Sequence, residues 1–168
     1  TNEISAATHF LALNGFGREA GEAWLALAAQ LYERGDEAWG TVTLDQCLAA
    51  TLEQLDPKID LDLIAEAHLL RGKALVDRGS GERDQVLYEA IAALDNAHRI
   101  FSEIGDGEHL DQTQFYRAYA WSEFVGPERY SAAEMAIVDL QHVLRRRQRA
   151  EDPMFWANVQ NILGNLYL

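Results

Sequence analysis

Asn158, Asn161 and Asn165 stand at i, i+3 and i+7, the spacing that puts three side chains on one face of an α-helix. An amide both donates and accepts hydrogen bonds. Such a row can therefore satisfy the backbone of an extended peptide without reading its sequence. The plainer reading of the same row is a solvated polar face. A second concentration of chemistry is Arg145-Arg146-Arg147-Gln148-Arg149, four of the chain's 14 basic residues, just before Asp152-Pro153. Cations at a helix end complement the carbonyl end of its dipole, by roughly 0.3–1 kcal/mol each. The functional alternative is docking to an acidic partner or to the acidic surface of another copy.

Catalytic patterns are missing. His9, His68, His98, His109 and His142 are scattered, and His68 lies two residues from Glu66, off its helix face. There is no H-E-x-x-H, no glycine-rich phosphate loop and no G-x-S-x-G. Gly79-Ser80-Gly81 lacks a following Lys and reads as a turn. Cys47, the only cysteine, sits in an apolar stretch and reads as a small core residue. Carboxylate pairs abound in so acidic a chain and none singles out acid–base chemistry. The expectation is a protein that is not an enzyme and holds no metal or organic cofactor.

The balance of 27 Asp+Glu against 14 Lys+Arg, a formal charge of −13, is a poor match for a phosphate backbone, so nucleic acid is not expected. The chain is 48% apolar, which argues against disorder, yet no apolar run approaches the length of a membrane span. A lone Cys excludes an internal disulfide framework. The first residue is Thr1, so the chain is processed or trimmed, and no basic stretch opens it. A cytoplasmic protein is expected, with a removed leader left open.

Ala and Leu dominate and Pro numbers only 3, a composition that favours helix. The longest β-flavoured run, Gly40 to Leu44, is short and followed at once by helical spacing. Breaks at Asn14–Gly17, Gly35-Asp36, Asp56-Pro57, Arg78–Gly81, Gly105–Gly107, Gly126-Pro127 and Asp152-Pro153 leave eight helical segments. Short connections imply antiparallel neighbours. Leu63, Ala67, Leu70, Ala74 and Leu75 form one apolar stripe; Leu87, Ala90, Ile91, Leu94, Ala97, Ile100 and Phe101 form another. The fold class is all-α, without a sheet.

Self-comparison reveals a repeat. A shift of 46 lays Leu69–Leu75 over Phe115–Trp121 and Ala90–Leu94 over Ala136–Leu140. Ala28, Gly72, Ala118 and Gly164 are then one position of a repeated helix, where a small residue permits close helix crossing. One helix pair cannot bury its stripe alone, so pairs must stack.

These residues resemble the tetratricopeptide repeat family. Its W-x2-L-G-x2-Y pattern is matched by Trp24-x2-Leu27-Ala28-x2-Leu31 and, in its second half, by Leu163-Gly164-x2-Tyr167. Its A-x3-F spacing is matched by Ala90-x3-Leu94 and Ala136-x3-Leu140, and its closing Pro by Pro57 and Pro153. The repeat here is about 44 to 46 residues, against about 34 in the family, which makes it an extended variant. The resemblance implies antiparallel hairpins stacked as a right-handed α-solenoid, with a HEAT-like stack as the alternative. Residues 1–168 are read as one such domain: a partial repeat over 1–14, repeats over 18–56, 57–105 and 108–152, and the first helix of a fourth over 153–168.

The resemblance also implies which positions line a concave groove. Carried over, they are Glu22, Leu25 and Ala29; Glu66, Leu69 and Lys73; Gln112, Phe115 and Tyr119; and Asn158, Asn161 and Asn165. Phe115 and Tyr119 read more readily as core or inter-repeat packing than as a peptide anchor, and Trp121 as core. The expected function is a protein-interaction scaffold binding a peptide or partner helix, one that carries Lys or Arg toward the Glu22 and Glu66 end. The alternative is a structural module that self-associates through open array ends or through Arg145–Arg149.

Overall fold

The computed structural model describes residues 2–35, 38–39, 42–78, 83–147 and 151–167. Among them are eight helices: α1 (Asn2–Leu13), α2 (Gly17–Arg34), α3 (Leu44–Gln54), α4 (Leu61–Asp77), α5 (Arg83–Ile104), α6 (Gly107–Ser122), α7 (Arg129–Arg146) and α8 (Pro153–Leu166). The all-α expectation holds in outline, and most helix boundaries fall at the Gly and Pro breaks; α3 instead starts at Leu44, well past Gly35-Asp36, because β1 and β2 intervene. One correction is needed: a sheet exists. Strands β1 (Ala38–Trp39) and β2 (Val42–Thr43) pair antiparallel, Ala38 with Thr43 and Trp39 with Val42. Two residues each are too few for an alternating pattern to register in the sequence, and Thr43 leaves the strand directly into a helix cap. Gly40, Thr41, Gly79-Ser80-Gly81, Gln148 and Arg149 lie outside the described residues.

The helix ends follow local chemistry. Thr43 and Gln46 form a reciprocal capping box at the start of α3. Asp106 accepts from the His109 backbone N–H at 3.1 Å to start α6, and Asp152 accepts from Phe155 N–H at 3.0 Å to start α8, where Pro153 takes the first turn. Gly35 ends α2 at φ 69°, a left-handed conformation that a side chain would strain.

The chain divides into two compact units, 1–71 and 72–168. In the first, α1 packs on α2 and α2 on α3. Its core holds Ala20, Leu27, Ala28, Leu31, Leu44, Cys47 and Leu48. Burial pushes the Cys47 thiol up to about 11, so it stays protonated and packs as a small apolar residue. Asp60, buried, caps its own loop by accepting from Asp56 N–H at 2.9 Å and is held by Arg18 at 2.8 Å.

In the second unit α5 packs on α6, α6 on α7 and α7 on α8, while α6 also reaches α8. The stripe of seven apolar residues on α5 is buried throughout. A Cβ on Gly72 would fall on the Leu94 side chain, so this glycine is where α4 and α5 close together. Ala118 and Ala136 are likewise fully buried, inside one core cluster with Leu140 and Val159. Gly164 differs: it is exposed, and nothing lies within 4 Å of where its Cβ would stand. Buried Asp139 and Asp111 tie this unit with charge. Arg117 grips Asp139 at 2.6 and 2.7 Å and reaches Asp95 of α5 at 2.6 Å. Arg146 and Arg147 hold the two oxygens of Asp111 at 2.6 and 2.9 Å.

Candidate functional site

Two joined clefts open in the second unit where α6, α7 and α8 meet. The narrower, about 310 Å³, is walled by Asp77 at the end of α4, by Phe115, Tyr116 and Tyr119 of α6 and by Asn158, Asn161 and Ile162 of α8. The wider, about 560 Å³, shares Tyr119, Asn161 and Ile162 and adds Asn165. Its far side is formed by Glu123, just past α6, and by Arg129 and Tyr130 of α7. Tyr119 and Asn161 thus mark the waist between the two.

Local structure explains the placement. The 3.6-residue period of α8 buries Val159 and Leu163 against Ala118, Ala136 and Leu140, which turns the three asparagines outward. Phe115 is half-buried, packed on the same cluster with its ring 5.0 Å from that of Phe155, and its remaining surface faces the cleft. Trp121 packs against both core clusters of the unit and edges the wider cleft.

The charge distribution is uneven. Glu123 lies 2.6 Å from Arg83, which balances it. Arg129 is exposed and has no carboxylate partner among the described residues. Burial, with the nearby charges of Glu123 and Asp77, holds the Tyr119 hydroxyl above its ordinary value, so it remains a donor throughout the physiological range. Lys73 Nζ lies over the Tyr116 ring, 4.9 Å from its centre, a cation–π contact.

Of the residues expected from the sequence, Phe115, Tyr119, Asn158, Asn161 and Asn165 come together at these clefts. Lys73 stands beside them, on Tyr116. Gln112 is half-buried on α6 and lines neither cleft. Glu22 is exposed on α2, 3.1 Å from Arg18, which also binds Asp60 and Asp62. Glu66 is half-buried on α4 and lines neither cleft, and Leu25 and Leu69 are core residues. Sequence reasoning did not single out Tyr116 or Arg129. Tyr116 sits one position from the expected face, and Arg129 comes from a second-type helix, which the repeat register leaves aside.

The Arg145–Arg149 cluster, insofar as described, is structural at two positions. Arg146 and Arg147 close on Asp111, Arg146 also bonds Gln114, and Arg147 lies 5.1 Å from the Phe155 ring centre. Among the described residues no group of three or more His, Cys, Asp or Glu could hold a metal ion. No described helix is long and apolar enough to cross a membrane. The family models, curated proteins and solved structures compared with this chain give no match.

Proposed function

We propose that this chain is a protein-interaction module of tetratricopeptide-like helical repeats that binds an extended peptide in the cleft between α6, α7 and α8. The observation that carries this is the convergence of an outward amide row, Asn158, Asn161 and Asn165, with an aromatic wall, Phe115, Tyr116 and Tyr119. A rise of about 1.5 Å per residue spreads the amides over roughly 10.5 Å. An extended chain advances about 3.3 Å per residue, so the row spans about three peptide residues. A partner helix has no use for such a row, because its backbone groups are already paired and it needs an apolar stripe instead. On α8 the exposed positions lining the clefts are all amides.

Self-association through the arginine cluster has less to stand on, since Arg146 and Arg147 already hold Asp111. A basic partner at the Glu22 end is weakened in the same way, because Arg18 occupies Glu22. The test is an array of random 12-residue synthetic peptides probed with the labelled 168-residue chain. Replacing all three asparagines by Ala should leave folding within about 1 kcal/mol, since exposed substitutions rarely cost more. Peptide retention should fall several-fold, as each lost hydrogen bond is worth roughly 0.5–1.5 kcal/mol. Retention unchanged in the triple variant would sink the assignment.

A further inference from the structure

Resting on the peptide reading of the cleft, we infer that its wider end selects an acidic residue of the bound segment, and that Arg129 sets this preference. Arg129 is the one cation among the residues lining that end. Elsewhere in the molecule Arg18, Arg83, Arg117, Arg146 and Arg147 are each held by carboxylates of their own chain. In a chain with 27 acidic and 14 basic residues, carboxylates to pair with are plentiful. Arg71, Arg129 and Arg145 have none among the described residues, and of these three Arg129 is the one that borders these clefts.

The surrounding groups reinforce the sign. Glu123, the carboxylate lining the same end, is neutralised by Arg83 at 2.6 Å, so it does not cancel Arg129. Other polar groups lining that end, among them Tyr119, Ser122, Tyr130, Asn161 and Asn165, are neutral and can donate. A carboxylate entering here meets a guanidinium fork flanked by amide donors, the geometry in which arginine binds two oxygens at once. An entering Lys or Arg meets Arg129 and a carboxylate already taken. The overall charge of −13 opposes an acidic ligand only at long range. At physiological salt fields decay over about 8 Å, so the charges at each end decide there: Asp77 at the narrower end disfavours an acid, and Arg129 at the wider end favours one.

The peptide array tests this with a second reading, taken on the parent chain and on Arg129→Gln. Peptides retained by the parent should share an Asp or Glu, and changing that residue to its amide should weaken binding about threefold to tenfold. Arg129→Gln should keep its helical circular dichroism and unfolding midpoint, still retain peptides, and lose the discrimination between acid and amide. If retained peptides show no acidic preference, favour Lys or Arg, or keep an acidic preference in Arg129→Gln, the inference is wrong while the peptide reading stands. If the parent chain retains no peptide at all, both fall.

Discussion

Both carboxylate oxygens of Asp139 are bonded to one guanidinium, that of Arg117, at 2.6 and 2.7 Å, with only 6% of the Asp139 side chain exposed. A charge so placed is tolerable only while it is paired. Arg117→Met should therefore destabilise the protein by about 3–5 kcal/mol, the cost of stranding a buried carboxylate. Arg117→Met combined with Asp139→Leu should recover most of that loss, because the uncompensated charge is gone. Urea unfolding midpoints decide it; equal midpoints for the single and double variants would refute the pairing argument.

The small-residue register gives a paired prediction. Gly72→Leu drives a side chain onto Leu94 at a closed helix crossing, and should cost roughly 1–3 kcal/mol through overpacking. Gly164→Ala meets nothing and should raise stability by up to about 1 kcal/mol through helix propensity alone. Thermal melts of the two variants should move in opposite directions. An unchanged or raised melt in Gly72→Leu would show that position 72 is not a closed crossing, and a lowered melt in Gly164→Ala would show that position 164 is one.

That register was legible in the sequence because burial imposes periodicity. The α5 stripe from Leu87 to Phe101, the small residues at 28, 72 and 118, and the Gly and Pro stops all leave a pattern. The asparagine row was legible for the same reason, being the complement of Val159 and Leu163. Long-range pairing leaves no such trace. Nothing in the spacing says that Arg117 chooses Asp139, that Arg18 reaches Asp60 and Asp62, or that Arg129 stays unpaired beside a cleft. The β1–β2 pair escaped because two residues cannot show a period.

A pH dependence follows from His98 on α5. Burial, and next the charge of Arg117, hold its imidazole below the ordinary value; Arg146 adds to this, while Asp139 and Asp95 oppose it. The unfolded chain takes up a proton near pH 6.5 that the folded chain resists until lower pH. The contribution to stability is thus fully present above about pH 6.5 and is lost as pH falls toward the folded value. The unfolding midpoint of the parent should drop between pH 7.5 and 5.5 more steeply than that of His98→Gln. Parallel slopes would exclude His98 as the cause.

The arginine cluster separates an internal lock from an adhesive patch. Arg147 holds one oxygen of Asp111, whose side chain is 7% exposed, and covers the Phe155 ring, whereas Arg145 points from the exposed side of α7. Arg147→Ala should cost about 1–3 kcal/mol, since it weakens a bond to a buried charge that Arg146 only half satisfies. Arg145→Ala should stay within about 0.5 kcal/mol. Neither should change the sedimentation coefficient of the folded protein, because Arg146 and Arg147, two of the charges that a second copy would have to engage, are already held by Asp111. A salt-sensitive oligomer that dissociates in Arg145→Ala would instead assign the cluster to self-association.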